Sequence, residues 1–213
     1  MDAAVRTKNL KLCAQLSKEV VQKIPNPTAE ESRFLFQFIP VGNLINTYYE
    51  GDFEKLFDEL SPYQSTDEEI IALFELAALA RVDNSENQNR LESLLFRLPN
   101  CADTFDSYDY VKNSLLLETS LNLLKNSRYD LSTITLSELY LRNPALFFET
   151  FLWIYPTEYN LMNIRWISLD NLKAMRDLFH KGWIQLHENR SQLYTMYKES
   201  VTNLGLFLVE NWG

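Results

Sequence analysis

Apolar residues return along most of this chain at the three-and-four spacing of an amphipathic helix. Leu12, Cys13, Leu16, Val20 and Ile24 form one stripe, with Lys8, Lys11, Gln15, Lys18 and Gln22 on another face. That pattern predicts a first helix over 3–24. Pro25 and Pro27 end it, because proline has no N–H with which to continue the backbone ladder. Thr28 followed three residues later by Glu31 reads as a capping box, opening a short helix that is interrupted near Pro40 and Gly42. Residues 43–60 read as one or two helical pieces around Gly51, with Phe53, Leu56, Phe57 and Leu60 on one side and Glu54, Asp58 and Glu59 on the wet side.

The same punctuation continues downstream. Ser61-Pro62 separates the next unit, where Thr66 and Glu69 form a second capping box before Ile70, Ile71, Leu73, Phe74, Leu76, Ala77 and Leu79. Asn84 or Ser85 is the expected start of a helix carrying Leu91, Leu94, Leu95 and Leu98 up to Pro99, and a longer one is expected near 107–126. Residues 127–134 carry no decisive signal. Thr135 with Glu138 predicts a cap for a helix through Arg142, and Asn143-Pro144 opens an aromatic helix that Pro156 closes. A shorter unit runs through Trp166, and Ser168 caps a long final region that Gly182 and Gly205 weaken without breaking.

These readings give an all-α chain of about eight to ten helices, in an irregular antiparallel bundle or a short helical array. A single helical interaction domain over 1–213 is expected, with a soft subdivision near 99–106. Arg128-Tyr129-Asp130 followed by a helix ending at Asn143-Pro144 resembles a tetratricopeptide-like unit. The full set of small and aromatic contacts is missing and no second copy recurs at a fixed period, so no family follows from it.

Composition narrows the chemistry. The 213 residues include 13 Phe, 11 Tyr and 4 Trp but only 2 His, 2 Cys and 5 Gly, which limits the easy routes to hydrolysis, redox chemistry and nucleotide binding. No apolar run approaches the roughly 20 residues of a membrane-spanning helix; 144–155 is short and contains Glu149. The start, with Lys8, Lys11 and Lys18 among its apolar residues, does not read as a secretory signal. Cys13 and Cys101 are expected as reduced, partly buried thiols, in keeping with an intracellular protein of the cytoplasm or nucleus.

Net charge is −9, and its placement is uneven. Residues 50–69 hold Glu50, Asp52, Glu54, Asp58, Glu59, Asp67, Glu68 and Glu69 against Lys55 alone, whereas the first 24 residues are basic. Such polarity can orient a partner or another copy of the chain. Asp177, His180 and His187 are the nearest approach to a metal or acid–base site, but they span almost three helical turns, roughly 15 Å. Basic residues near 165–198 are diluted by Asp170, Asp177 and Glu188, which disfavours nucleic acid.

The expected function is therefore a non-enzymatic protein-interaction scaffold or adaptor, a module or subunit that binds another protein or its own copies without a cofactor. A viral or cellular structural assembly protein is the second reading. A metal-dependent enzyme using the His180 and His187 region is the third. Two contact surfaces are predicted: Phe53, Glu54, Phe57, Asp58 and Glu59 for a basic helix, and Trp153 with Tyr159 from the aromatic-rich 147–166 region.

Overall fold

The computed structural model describes residues 41–63, 68–82, 87–103, 108–147, 169–189 and 191–210, with Gln15, Glu19 and Lys23. The fold is all-α, and no strand occurs among the described residues; the one ladder-like contact there is an isolated bridge between Glu68 and Ala102. The helices are α1 (41–50), α2 (Phe53–Leu60), α3 (Glu69–Val82), α4 (Gln88–Arg97), α5 (Asp109–Lys125), α6 (Tyr129–Arg142), α7 (Leu169–Asn189), α8 (Ser191–Met196) and α9 (Lys198–Glu210). A helical turn at 144–147 follows α6. The chain forms two compact units, one of Met1–Ala78 with Asn100–Lys112 and the other of Leu79–Pro99 with Asn113–Gly213.

In the first unit, Gly51 separates α1 from α2 at φ +79°, a left-handed conformation that glycine adopts without a side-chain clash. Asp52 then caps α2, its carboxylate accepting the Lys55 N–H at 3.1 Å. Leu56 and Leu60 are buried, as are Val41, Leu44, Ile45 and Tyr48 of α1. Tyr48 packs edge-on against Phe53 and Phe74, with ring centroids 6.1 and 6.3 Å away. Thr66 lies outside the described residues; at the start of α3 the Ala102 carbonyl accepts the Glu69 N–H at 3.0 Å.

The second unit is built around α6, which packs against α7 and α9. Its core gathers Leu136, Leu139, Leu146, Phe147, Met175, Leu204 and Leu208. Residues 127–134, undecided by pattern, become a tight turn and the first half of α6. Ser127 takes φ +59°, its N–H donates to Leu124 O at 3.1 Å, and the Arg128 N–H donates to Leu123 O at 2.9 Å. This pair of bonds is a Schellman cap that ends α5. Thr135 is correspondingly not a cap: it lies inside α6, where its hydroxyl reaches the carbonyls of Leu131 and Ser132 at 3.2 and 3.1 Å. Asn143-Pro144 does start a helix, with Asn143 Oδ1 accepting the Leu146 N–H at 3.1 Å.

Gly182 and Gly205 sit within helices, as their neighbours' periodicity implies. The final region divides elsewhere, into α7, α8 and α9, with a turn at Tyr197. Tyr197 is buried and donates its hydroxyl to Leu95 O at 2.6 Å, fixing the start of α9 to the last turn of α4. Gly182 marks the closest helix crossing. A Cβ built there would collide with Thr133 Oγ1 and Tyr129 O and lie 2.8 Å from Thr133 Cβ. Beside it Gln185 Oε1 accepts the Asp130 N–H at 3.1 Å, so α7 satisfies one of the donors that the start of α6 leaves open.

Candidate functional site

The predicted acidic surface lies on α2, and the structure divides its residues by role. Glu54 and Asp58 are exposed, one helical turn apart. Glu59 is half-buried: it accepts the Thr47 hydroxyl at 2.8 Å and pairs with Lys55 at 3.8 Å. Phe53 and Phe57 are half-buried, and the Phe53 ring lies 6.1 Å from that of Tyr48. Glu50 and Asp52 extend the exposed negative surface from the turn before α2. The arrangement can accept cations in solvent beside partly exposed aromatic area, the mixture found at recognition surfaces. Trp153 and Tyr159 lie outside the described residues.

Glu69, the last carboxylate of the same acidic stretch, serves the fold instead. Lys112 is 1% exposed and its ammonium is surrounded by three carboxylates. Glu69 stands 3.7 Å away and Asp109 3.3 Å away, and Asp103 makes a short contact with the same nitrogen. Glu69 is itself buried, so this cluster joins the starts of α3 and α5 to the segment at 101–103. Sequence position carried a signal for it: Lys112 stands three and four residues before the core positions Leu115 and Leu116, on the face that enters the interior.

On α7, His180 and His187 are both exposed. Asp177 pairs with Arg176 at 3.3 Å, and His187 lies between the rings of Trp183 and Tyr194, with centroids 4.2 and 4.3 Å away. Among the described residues no three His, Cys, Asp or Glu side chains come together as a metal-binding group. The spacing of Leu169, Leu172, Met175 and Phe179 continues into Trp183 and Leu186 and predicts one apolar face, but Trp183 is 38% exposed and Ile184 beside it 37%. Among the described side chains of α7, Met175, Gly182 and Leu186 are buried.

A void of about 10 Å³ between Ser132, Thr133, Leu136, Met175, Phe179 and Leu204 has room for one water at most. Tyr140, against Phe147 and Phe207 at 5.2 and 5.3 Å, has its phenol pKa raised by burial and, secondarily, by the negative charge of Glu210. Cys101 is a half-buried thiol, and Cys13 lies outside the described residues. No described helix is long and apolar enough to cross a membrane. The chain matches no protein-family model, no curated protein and no solved structure.

Proposed function

We propose that the protein is a non-enzymatic recognition module, an adaptor or scaffold of an intracellular assembly, and that the exposed face of α2 receives a basic segment of another protein. One observation supports this reading above the others. Glu59 is engaged by Thr47 and Lys55, whereas Glu54 and Asp58 stand in solvent beside half-buried Phe53 and Phe57. Carboxylates in water form weak pairs singly, but an array of one sign raises encounter rates and selects a partner of opposite charge.

Proteins captured by the full chain from extract, then rebound as purified components, provide the test. Double reversal by Glu54→Lys and Asp58→Lys should lower affinity by roughly tenfold, about 1.4 kcal/mol, at low ionic strength. The difference should shrink as the screening length falls from about 30 Å at 0.01 M to about 3 Å at 1 M salt. Both side chains are exposed, so far-UV circular dichroism should be unchanged. Equal binding by the two proteins at low salt would reject the α2 surface.

A further inference from the structure

We propose that a second copy of the chain docks on an exposed cationic and aromatic strip of α7, using the acidic face of its own α2. The inference rests on the reading of α2 as a recognition face and names what that face meets.

The strip follows from helix geometry. Lys173, Arg176, His180, Trp183 and His187 are spaced three, four, three and four residues apart, which aligns them along one side of α7. Lys173, His180 and His187 are exposed, Trp183 is 38% exposed and the Arg176 side chain 43%. Tyr194 of α8 extends the row, its ring 4.3 Å from that of His187. The strip holds two fixed cations and no carboxylate. Asp177 and Glu188 project to one side of it, by the 100° step between successive helical residues. Asp177 does pair with Arg176 at 3.3 Å, but both groups are well exposed, and a solvated pair of this kind is worth at most about 1 kcal/mol. An incoming carboxylate can therefore replace it at little cost.

The complementary surface is on the same chain. The exposed carboxylates Glu50, Asp52, Glu54 and Asp58 outnumber Lys55 there, and Phe53 and Phe57 supply aromatic area among them. Glu54 and Asp58 lie one helical turn apart, as Lys173 and Arg176 do, so two helices laid side by side bring the two carboxylates near the two fixed cations. Trp183 and the two phenylalanines then supply the apolar contact that charge alone lacks. Each chain carries both surfaces, so copies join either reciprocally, as a closed two-fold dimer, or head-to-tail.

Sedimentation velocity of the full chain across a concentration series tests this. At low ionic strength the mass should grow with concentration, and high salt should return it to the monomer. Glu54→Lys with Asp58→Lys should remove assembly, and so should Lys173→Glu with Arg176→Glu. Lys173→Glu alone, at an exposed position, should weaken assembly and guards against a folding defect in the double variant. The decisive sample is a mixture of the two double variants. Each variant alone carries one sign on both surfaces, whereas together every surface meets its opposite, so the mixture should assemble although neither variant does by itself. A wild-type monomer at every concentration, assembly that survives both reversals, or a mixture that stays monomeric would overturn self-docking. A monomer that still captures a basic protein through Glu54 and Asp58 would leave the α2 reading intact while removing this one.

Discussion

The two units bury polar atoms in opposite ways. In the first, the Lys112 ammonium lies among the carboxylates of Glu69 from α3, Asp103 from the segment before α5 and Asp109 one turn earlier in α5 itself. In the second, Thr119, Ser120, Ser132, Thr133, Thr135 and Ser137 are all buried. Thr119 donates to Leu115 O and Ser137 to Thr133 O, each at 2.7 Å and four residues back in its own helix. Ser132 donates across to Ser120 O at 3.1 Å, and the Ser120 and Thr135 hydroxyl oxygens lie 2.8 Å apart. Hydroxyls that bond locally can be buried almost anywhere on a helix. A buried cation is tolerated only where distant segments deliver their carboxylates to the same point. The first arrangement specifies which segments meet; the second lets helices approach closely without specifying much.

That contrast can be broken in graded steps. Lys112→Ala removes the cation beside the buried Glu69 carboxylate and should cost about 3–5 kcal/mol, read as a loss of stability in urea unfolding. A smaller effect, within about 0.5 kcal/mol, would mean that the ion cluster does not specify the fold. Gly182→Ala should cost about 1–3 kcal/mol despite alanine's higher helix propensity, because its methyl group meets the Tyr129 carbonyl and Thr133 at the α6–α7 crossing. Pairing it with Thr133→Ala, which removes the hydroxyl in the way, should recover part of that loss; no recovery would place the strain at the Tyr129 backbone. The smallest effect, and one of opposite sign, is expected at the α5–α6 turn. Ser127→Gly should raise stability by up to about 1 kcal/mol, since Ser127 holds a left-handed φ of +59° that glycine adopts freely.

Ser127 also shows where pattern reading stops. A Schellman turn is normally announced by glycine, and here the left-handed position is a serine, so nothing in residues 127–134 marked the end of one helix and the start of the next. Thr135 and Glu138 gave a false start for the same reason. A hydroxyl three residues before a glutamate is a cap only where the chain is entering a helix; inside one it bonds to carbonyls already in place. Asn143-Pro144 was legible because proline's missing N–H and fixed φ suit the first turn whatever surrounds it.

The α2 surface was legible in part. Alternation placed Leu56 and Leu60 inward and Glu54 and Asp58 outward, and the structure agrees. Glu59 follows Asp58 directly, and only the approach of Thr47 from α1 sets the two apart. Trp183 was misplaced because large aromatics are usually core residues, and periodicity alone does not say how wide the covered face of a helix is.

By itself, the sequence determined that the described residues are helical and where several of their helices start and stop, since turns, caps and the i to i−4 bond are made by residues close together in the chain. Only the tertiary structure decided which charges are buried and which face water. Glu69 and Lys112 meet inside the first unit, while Asp58 and Arg176 remain at the surface. The difference lies in burial, which depends on what distant segments bring to each side chain, and no local pattern of apolar and polar residues records that.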